Sequence, residues 1–316
     1  MKAIIMEEYG SVDVLKEVER PVPEAEPGMV VARVAATSVN DPDIHIRAHG
    51  PFPTMPKEMR PTLPHMAGED FSGVVHAVGE GVEGFAPGDH VIGLTLMGTT
   101  AEYIAMPAAG LIGKVPEGLD LVELGGLYTA GVTAYAAVVT KGEVQAGQTV
   151  LVHGAAGGVG SMAVQIAKAR GARVIATCSA DSADYVRALG ADETIDYRTQ
   201  DFTKAVKDVD LVVNLTGQRT LSESYKVVRR GGNLVTVSGV PNPAKAALHC
   251  IHVHYSMGDM TPEVREEIVR LYAEGKLKVN VMQTYPLTLA GVRQAHTDFE
   301  AGHNRGKRVI VADWAR

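Results

Sequence analysis

The segment Thr149-Val-Leu-Val-His-Gly-Ala-Ala-Gly-Gly-Val-Gly-Ser161 constrains the fold more than any other part of the chain. An apolar run of strand length, Val150 to Val152, meets a glycine-rich turn. An amphipathic helical pattern follows at once, with Val159, Met162, Ala163, Ile166 and Ala167 at helical spacing. Strand, glycine turn and helix in that order are the context of a dinucleotide-binding fingerprint, whose core here reads Ala155-x-Gly157-x-x-Gly160. Glycines let the backbone approach a pyrophosphate, and the N–H groups at the helix N-terminus stabilise its charge. Ala156, Gly157, Gly158 and Val159 are therefore expected at the cofactor. The bland alternative is a structural turn between strand and helix.

The chain has 316 residues, which allows two domains, and 46% hydrophobic residues, enough for sizeable cores. Its formal net charge of −7 argues against nucleic acid and anionic membrane surfaces as partners. No apolar run reaches the roughly 18 residues of a transmembrane helix. Met1-Lys-Ala-Ile-Ile-Met6 reads as a short strand rather than a signal peptide, so a cytoplasmic protein is expected. Two cysteines, Cys178 and Cys250, exclude a disulfide framework and a four-cysteine zinc site within one chain.

Residues 1 to about 122 read as mostly β, with apolar runs at 29–39, 71–78, 90–94 and 101–105 between Pro/Gly punctuation. Residues 51–64 are proline-rich and read as a surface loop. Near Leu121 the pattern changes. A long helical stretch with Leu124, Leu127, Val132 and Tyr135 leads into the glycine turn, and strands and helices then alternate. Strands are expected at 149–153, 173–177, 193–195, 210–215, 233–237 and 251–255, with helices around 158–170, 181–189, 201–207 and 219–230. Repeated βα units imply an α/β fold with a parallel, doubly wound sheet. The tail reads as helix 262–274, an extended run 278–285, helix 288–302 and a last strand 308–311. It is assigned to the N-terminal half, because six strands already complete a nucleotide-binding sheet.

Several segments, in order, carry a resemblance over nearly the whole chain: Ala67-Gly-Glu-Asp-Phe-Ser-Gly-Val-Val75, Val78-Gly-Glu-Gly-Val82, Phe85-Ala-Pro-Gly-Asp-His-Val91, Gly131-Val-Thr-Ala134, the glycine turn, Leu189-Gly-Ala-Asp192, Arg230-Gly-Gly232 and Arg305-Gly-Lys307. The sequence resembles the medium-chain dehydrogenase/reductase superfamily, in its zinc-independent quinone oxidoreductase (zeta-crystallin-like) branch. The resemblance implies a GroES-like, mainly β catalytic domain over 1–122 and 261–316 and a Rossmann domain over 123–260, with the cofactor in the cleft between them. Zinc-dependent relatives carry a cysteine where Asn40 stands, a histidine where Gly68 stands and a cysteine-rich loop missing here. No metal is therefore expected.

No carboxylate ends the second strand of the nucleotide domain, where an NAD site carries an acid for the ribose 2′-OH. NADPH is thus the expected cofactor, with Ser179 a hydroxyl donor to its 2′-phosphate. Ser179 or Asp181 capping the next helix is the local alternative. The resemblance adds Tyr197 at the phosphate, with Arg198 beside it, although Ala183 stands near where relatives carry a basic residue. It also adds Thr133 on the nicotinamide side, Leu215 and Gly217 after the fourth strand, Ser238 and Val240 after the fifth, and a segment from Asn304 to Lys307 closing over the cofactor. For catalysis it points to Asn40, Asp43 and His45: Asn40 as a donor to a carbonyl, and His45, where relatives often have tyrosine, as an acid. Asp43 and His45 on a solvent-facing turn are the alternative. Met55, Met59 and Met66 are candidates for an adaptable apolar substrate wall.

In His249-Cys-Ile-His-Val-His254, alternate residues share one face of a strand, which invites a metal reading. A sheet-edge strand around Ile251 and Tyr255, pairing with its twin in a homodimer, is preferred. The implied activity is hydride transfer from NADPH to a quinone or an α,β-unsaturated carbonyl. A zinc-free carbonyl reductase and a non-enzymatic NADPH-binding redox sensor are the competing readings.

Overall fold

A computed structural model describes residues 1–53 and 55–316; Thr54 and the side chain of Met59, both in the proline-rich stretch, lie outside the described residues. The chain forms two compact units, Met1–Thr129 with Val281–Arg316, and Ala130–Asn280.

The first unit begins with β1 (Lys2–Met6), β2 (Leu15–Glu19) and β3 (Met29–Ser38). Helix α1 (Asp41–His49) follows, then β4 (His65–Met66), β5 (Asp70–Val78), β6 (His90–Leu94), β7 (Tyr103–Pro107), β8 (Ile112–Lys114) and the short α2 (Leu121–Leu124). The chain returns to this unit at β15 (Val281–Pro286), α10 (Leu289–Glu300) and β16 (Lys307–Val311). Seven strands form one sheet in the order β15-β16-β3-β5-β6-β8, with β7 also paired to β3. β3 reads as a nearly continuous apolar run because it is interior on both edges and buried on both faces. Its Val30, Ala32 and Val34 pack with Phe71, Val75, Val91, Ile104 and Met106. A three-stranded sheet, β2-β1-β4, completes the unit.

The second unit starts within α3 (Tyr128–Tyr135) and holds β9 (Thr149–His153), α4 (Gly158–Ala169), β10 (Arg173–Cys178), α5 (Ala183–Ala188), β11 (Glu193–Asp196) and α6 (Phe202–Ala205). It continues with β12 (Val209–Asn214), α7 (Gln218–Ser224), β13 (Val228–Thr236), α8 (Pro243–His249), β14 (His252–Tyr255) and α9 (Pro262–Ala273). All six strands are parallel, in the order β11-β10-β9-β12-β13-β14. The order reverses direction between β9 and β12, the switch point at which open α/β sheets take their ligands. The sheet packs Leu151, Ile175, Ile195 and Val212 against Leu221 and Tyr225.

The doubly wound parallel sheet and the mainly β unit are as expected, but several boundaries differ. Residues 41–49 are helical rather than a turn: the Asn40 N–H donates to the Asp43 carboxylate at 2.7 Å and Pro42 occupies the first turn. The helix expected over 219–230 stops at Ser224, because Val228 already pairs with Val209 and β13 bulges at that point. The stretch after Leu121 breaks at Gly125-Gly126 into α2 and α3, then widens into a π-helical turn at Ala136–Thr140. Helix α8, started by Asn242 accepting from the Lys245 N–H, had no expectation. The compact units divide at 129/130 and 280/281, not at 122/123 and 260/261. Residues 261–280 stay with the parallel sheet because α9 buries Val264, Ile268 and Leu271 and because Gln165 exchanges two hydrogen bonds with the Lys278 backbone.

Candidate functional site

In the second unit the chain leaves the switch point through Gly154-Ala-Ala-Gly-Gly-Val-Gly160. No side chain caps the N-terminus of α4, whose N-cap is Gly157. A Cβ at Gly160 would lie 2.2 Å from the Gly154 carbonyl oxygen, so only glycine fits there. A Cβ at Gly157 would meet only that same oxygen, at 3.5 Å. Gly157 is thus dispensable for the protein's own packing and leaves open space over a helix N-terminus of positive potential, a cradle that fits a pyrophosphate. Ala156, Gly157, Gly158 and Val159 line it, all half-buried.

The neighbouring strand ends are tied together. The Asn214 amide donates to the Gly217 and Ser238 carbonyls at 3.2 and 2.9 Å and to Thr236 Oγ1 at 3.1 Å. The Val240 N–H donates to Gln218 Oε1 at 2.7 Å. These contacts fix the loops carrying Leu215, Gly217, Ser238 and Val240. After β10, Ser179 Oγ lies 3.2 Å from Ser182 Oγ and makes no cap bond, and no side chain caps α5. Tyr197 is exposed, with the Arg198 guanidinium 5.7 Å from its ring centre and an Arg198 nitrogen 3.9 Å from Asp181. Thr133 lies half-buried on α3. Below the turn, His153 sits between Thr177 Oγ1 at 3.0 Å and Ser224 Oγ at 3.2 Å, and burial pushes its pKa down to about 3.

The first unit holds a buried polar cluster. Lys307 Nζ, at the start of β16, donates to Asn40 Oδ1 at 2.5 Å. The Asn40 amide donates to Asp70 Oδ1 at 3.3 Å, and Ser38 Oγ donates to the same oxygen at 2.7 Å. The Thr129 N–H donates to Asp70 Oδ2. Asp43 and Glu69 complete the set; all five residues of the ionisable and amide group are buried. Burial raises the Asp43 and Glu69 carboxyls well above the carboxylate range, and the neighbouring acids raise them further. Burial likewise lowers the Lys307 ammonium, against the pull of Asp70, Asp43 and Glu69. Gly68 precedes this cluster with φ +89°, and a Cβ there would lie 2.4 Å from Thr99 Oγ1 and 2.7 Å from Thr100 Oγ1.

The structure thus unites Asn40, Asp43 and Lys307. It places Lys307 inside the first unit's cluster, and Asn304 is engaged with the Phe299 carbonyl and Arg308 Nε. The Asn40 amide is committed to Lys307 and Asp70. His45 lies apart, half-buried and stacked on Phe52 with ring centres 3.8 Å apart. Burial and nearby His49 lower its pKa. Sequence reasoning missed Glu69, Asp70 and Ser38 as site members, although Glu69-Asp70 stands within a quoted family segment. The signal was two adjacent acids opening an apolar strand. Met55 is buried in a small cluster with Met6 and Ile46, and Met66 packs against the β3 core. β14 is the edge strand expected of the segment around Ile251 and Tyr255.

Two family models match: an alcohol dehydrogenase GroES-like domain over residues 26–117 and a zinc-binding dehydrogenase over 189–310. The chain is 33% identical to the chloroplastic NADPH-dependent alkenal/one oxidoreductase of Arabidopsis thaliana, covering 98% of this chain and 79% of that protein. Its fold matches the quinone oxidoreductase of Coxiella burnetii with a TM-score of 0.88 at 31% identity, covering 98% and 99% of the two chains. It matches a structure titled NAD-dependent alcohol dehydrogenase with a TM-score of 0.88 at 34% identity, over the same shares. Zinc does not fit the polar cluster: Asn40 and Gly68 supply no thiolate or imidazole, and the buried Lys307 ammonium already occupies Asn40 Oδ1. Among the described residues no group of three His, Cys, Asp or Glu side chains is placed to hold a metal ion.

Proposed function

Because the chain belongs to the medium-chain dehydrogenase/reductase superfamily, among its quinone oxidoreductases and alkenal reductases, we propose that it is an NADPH-dependent oxidoreductase delivering hydride to a quinone or an α,β-unsaturated carbonyl. The observation that carries this reading is the uncapped glycine turn at the strand-order switch point, in a chain aligned along 98% of its length with an alkenal/one reductase.

In this proposal the unit 130–280 binds the nucleotide. Ala156, Gly157, Gly158 and Val159 hold the pyrophosphate. Ser179 and Tyr197, with Arg198 beside them, receive the 2′-phosphate, and Thr133, Leu215, Gly217, Ser238 and Val240 line the remainder. When bound, NADPH supplies the hydride. The first unit is the catalytic one. Asn40 is its positioning residue, holding Lys307 against Asp70, and Asp43 and His45 are its further acid–base candidates. The chemistry is zinc-independent, which the Lys307–Asn40 contact supports. We further propose a cytoplasmic enzyme that forms a homodimer through β14; no described helix is long and apolar enough to cross a membrane.

Calorimetric titration with NADPH and NADH, with turnover of alkenals and quinones on the same sample, tests the reading. Tight NADPH binding, weaker NADH binding and NADPH oxidation dependent on either acceptor are expected. Stronger binding of NADH would overturn the cofactor assignment. Tight NADPH binding without turnover would favour the redox sensor.

A further inference from the structure

Of the carboxyl groups around Lys307, only Glu69 lacks a hydrogen-bond partner among the described residues. Asp70 accepts from Ser38, Asn40 and Thr129, and Asp43 accepts from the Asn40 N–H. Glu69 is 8% exposed and lines a small cavity with Asp43, His65, Gly68, Met6 and Ile46. The cavity has room for about one water molecule. A buried carboxylate left without donors is costly, whereas a carboxylic acid there keeps an O–H to offer to whatever enters the cavity.

We propose that Glu69 is the proton source of the reduction, drawing its replacement proton from solvent through half-buried His65 on the cavity wall. The inference rests on the oxidoreductase reading and assigns the proton to Glu69 in place of Asp43 or His45. The groups facing Glu69 agree with a neutral acid. Asp43 and Asp41 on α1 and Asp70 on β5 repel its ionised form, and Lys307 on β16 alone opposes them. Burial lowers the pKa of His65 on β4, favouring the neutral ring, which can accept a proton at one nitrogen and release one at the other.

The step balances. Hydride addition to the β-carbon of an enone breaks the C=C π bond and leaves the electron pair on an enolate. The Glu69 O–H bond then breaks, its proton passing to a water of the size the cavity admits while a proton of that water forms the new C–H bond at the α-carbon, and the Glu69 carboxylate stands near Lys307 until a solvent proton restores it. The sum is NADPH, one proton and enone giving NADP⁺ and saturated carbonyl. A quinone differs: hydride addition yields a hydroquinone anion, far less basic than an enolate, whose oxygen takes its proton directly from water. Glu69 therefore matters far more for carbon–carbon double bonds than for quinones.

The test compares full-length wild type with Glu69→Gln and Glu69→Asp, using an alkenal and benzoquinone. With Glu69→Gln, the ratio of alkenal to quinone kcat falls by about 10²–10³-fold, the scale of a lost general acid, and NADPH affinity stays within about twofold. Glu69→Asp restores part of the ratio. An unchanged ratio in Glu69→Gln overturns the proposal. Infrared spectroscopy at neutral pH supplies an arm independent of turnover. A protonated-carboxyl band present in wild type and diminished in Glu69→Gln, with the remainder belonging to Asp43, supports the inference, and a band that Glu69→Gln leaves unchanged, or no band in wild type, overturns it. Wild type that shows the band but reduces neither substrate would refute the enzyme reading and, with it, Glu69 as a proton source.

Discussion

An alanine at residue 160 and an alanine at residue 157 add the same methyl group to the same turn, yet the structure assigns them opposite consequences. Gly160→Ala drives a Cβ into the Gly154 carbonyl at 2.2 Å, and the turn must deform. We expect a loss of about 1–3 kcal/mol in thermal unfolding, the scale of overpacking, with or without nucleotide. Gly157→Ala meets nothing closer than 3.5 Å, so the apo-protein should melt within a degree or two of wild type while NADPH affinity falls at least tenfold. Equal melting of the two variants would refute the distinction. The fingerprint made these glycines legible in the sequence, but not which serves packing and which serves the ligand. That division depends on where the Gly154 carbonyl points. The same limit hid Glu69 and Asp70, since adjacent acids at the head of a strand read alike whether solvated or buried around a lysine 237 positions later in the chain.

Elements add effects that no single side chain has. β16 brings Lys307 beside α1 and β5, and the cluster's titration depends on that meeting. Asp43 and Glu69 have folded pKa values raised above their unfolded ones. Their contribution to stability is complete below the unfolded carboxylate range and is lost as pH rises through the folded values. Lys307 holds those values down. Lys307→Met should therefore widen the window, with a urea midpoint that drops further below wild type as pH is raised from about 5 to about 8. A constant offset across that range would mean that the ammonium only fills space. β14 closes the parallel sheet with an unpaired edge, and Tyr255 on it is 49% exposed. In the proposed homodimer Tyr255→Lys places like charges across the two-fold pairing, so sedimentation is expected to show a dimer for wild type and a monomer for the variant. A dimer that survives refutes pairing through this edge. Strands of the parallel sheet were legible because buried parallel strands are unbroken apolar runs. Helix α1 was not, because Asp41-Pro-Asp-Ile-His is polar and its start is fixed by capping rather than by periodicity.

At the scale of the molecule, the unit 130–280 is one uninterrupted stretch with its own core, and the other unit is assembled from two stretches. A fragment spanning 126–280, which keeps α3 whole, is expected to fold alone and bind NADPH within about tenfold of the full chain, read by circular dichroism and titration. An unfolded fragment would show that the unit borrows its stability. The sequence revealed two domains, since the switch from turn-punctuated β runs to alternating strands and helices is a change of period. It assigned residues 261–280 to the other unit, because an amphipathic helix such as α9 announces that it packs without saying against which sheet. The split first unit also sets an order of manufacture. A ribosome delivers the nucleotide unit complete before it has made β16. The three carboxyl groups around Asn40 thus wait, without Lys307, until β16 emerges. Under the proposed assignments, a nascent or prematurely terminated chain would hold nucleotide and lack Lys307, with the cofactor grip complete before the proposed catalytic cluster.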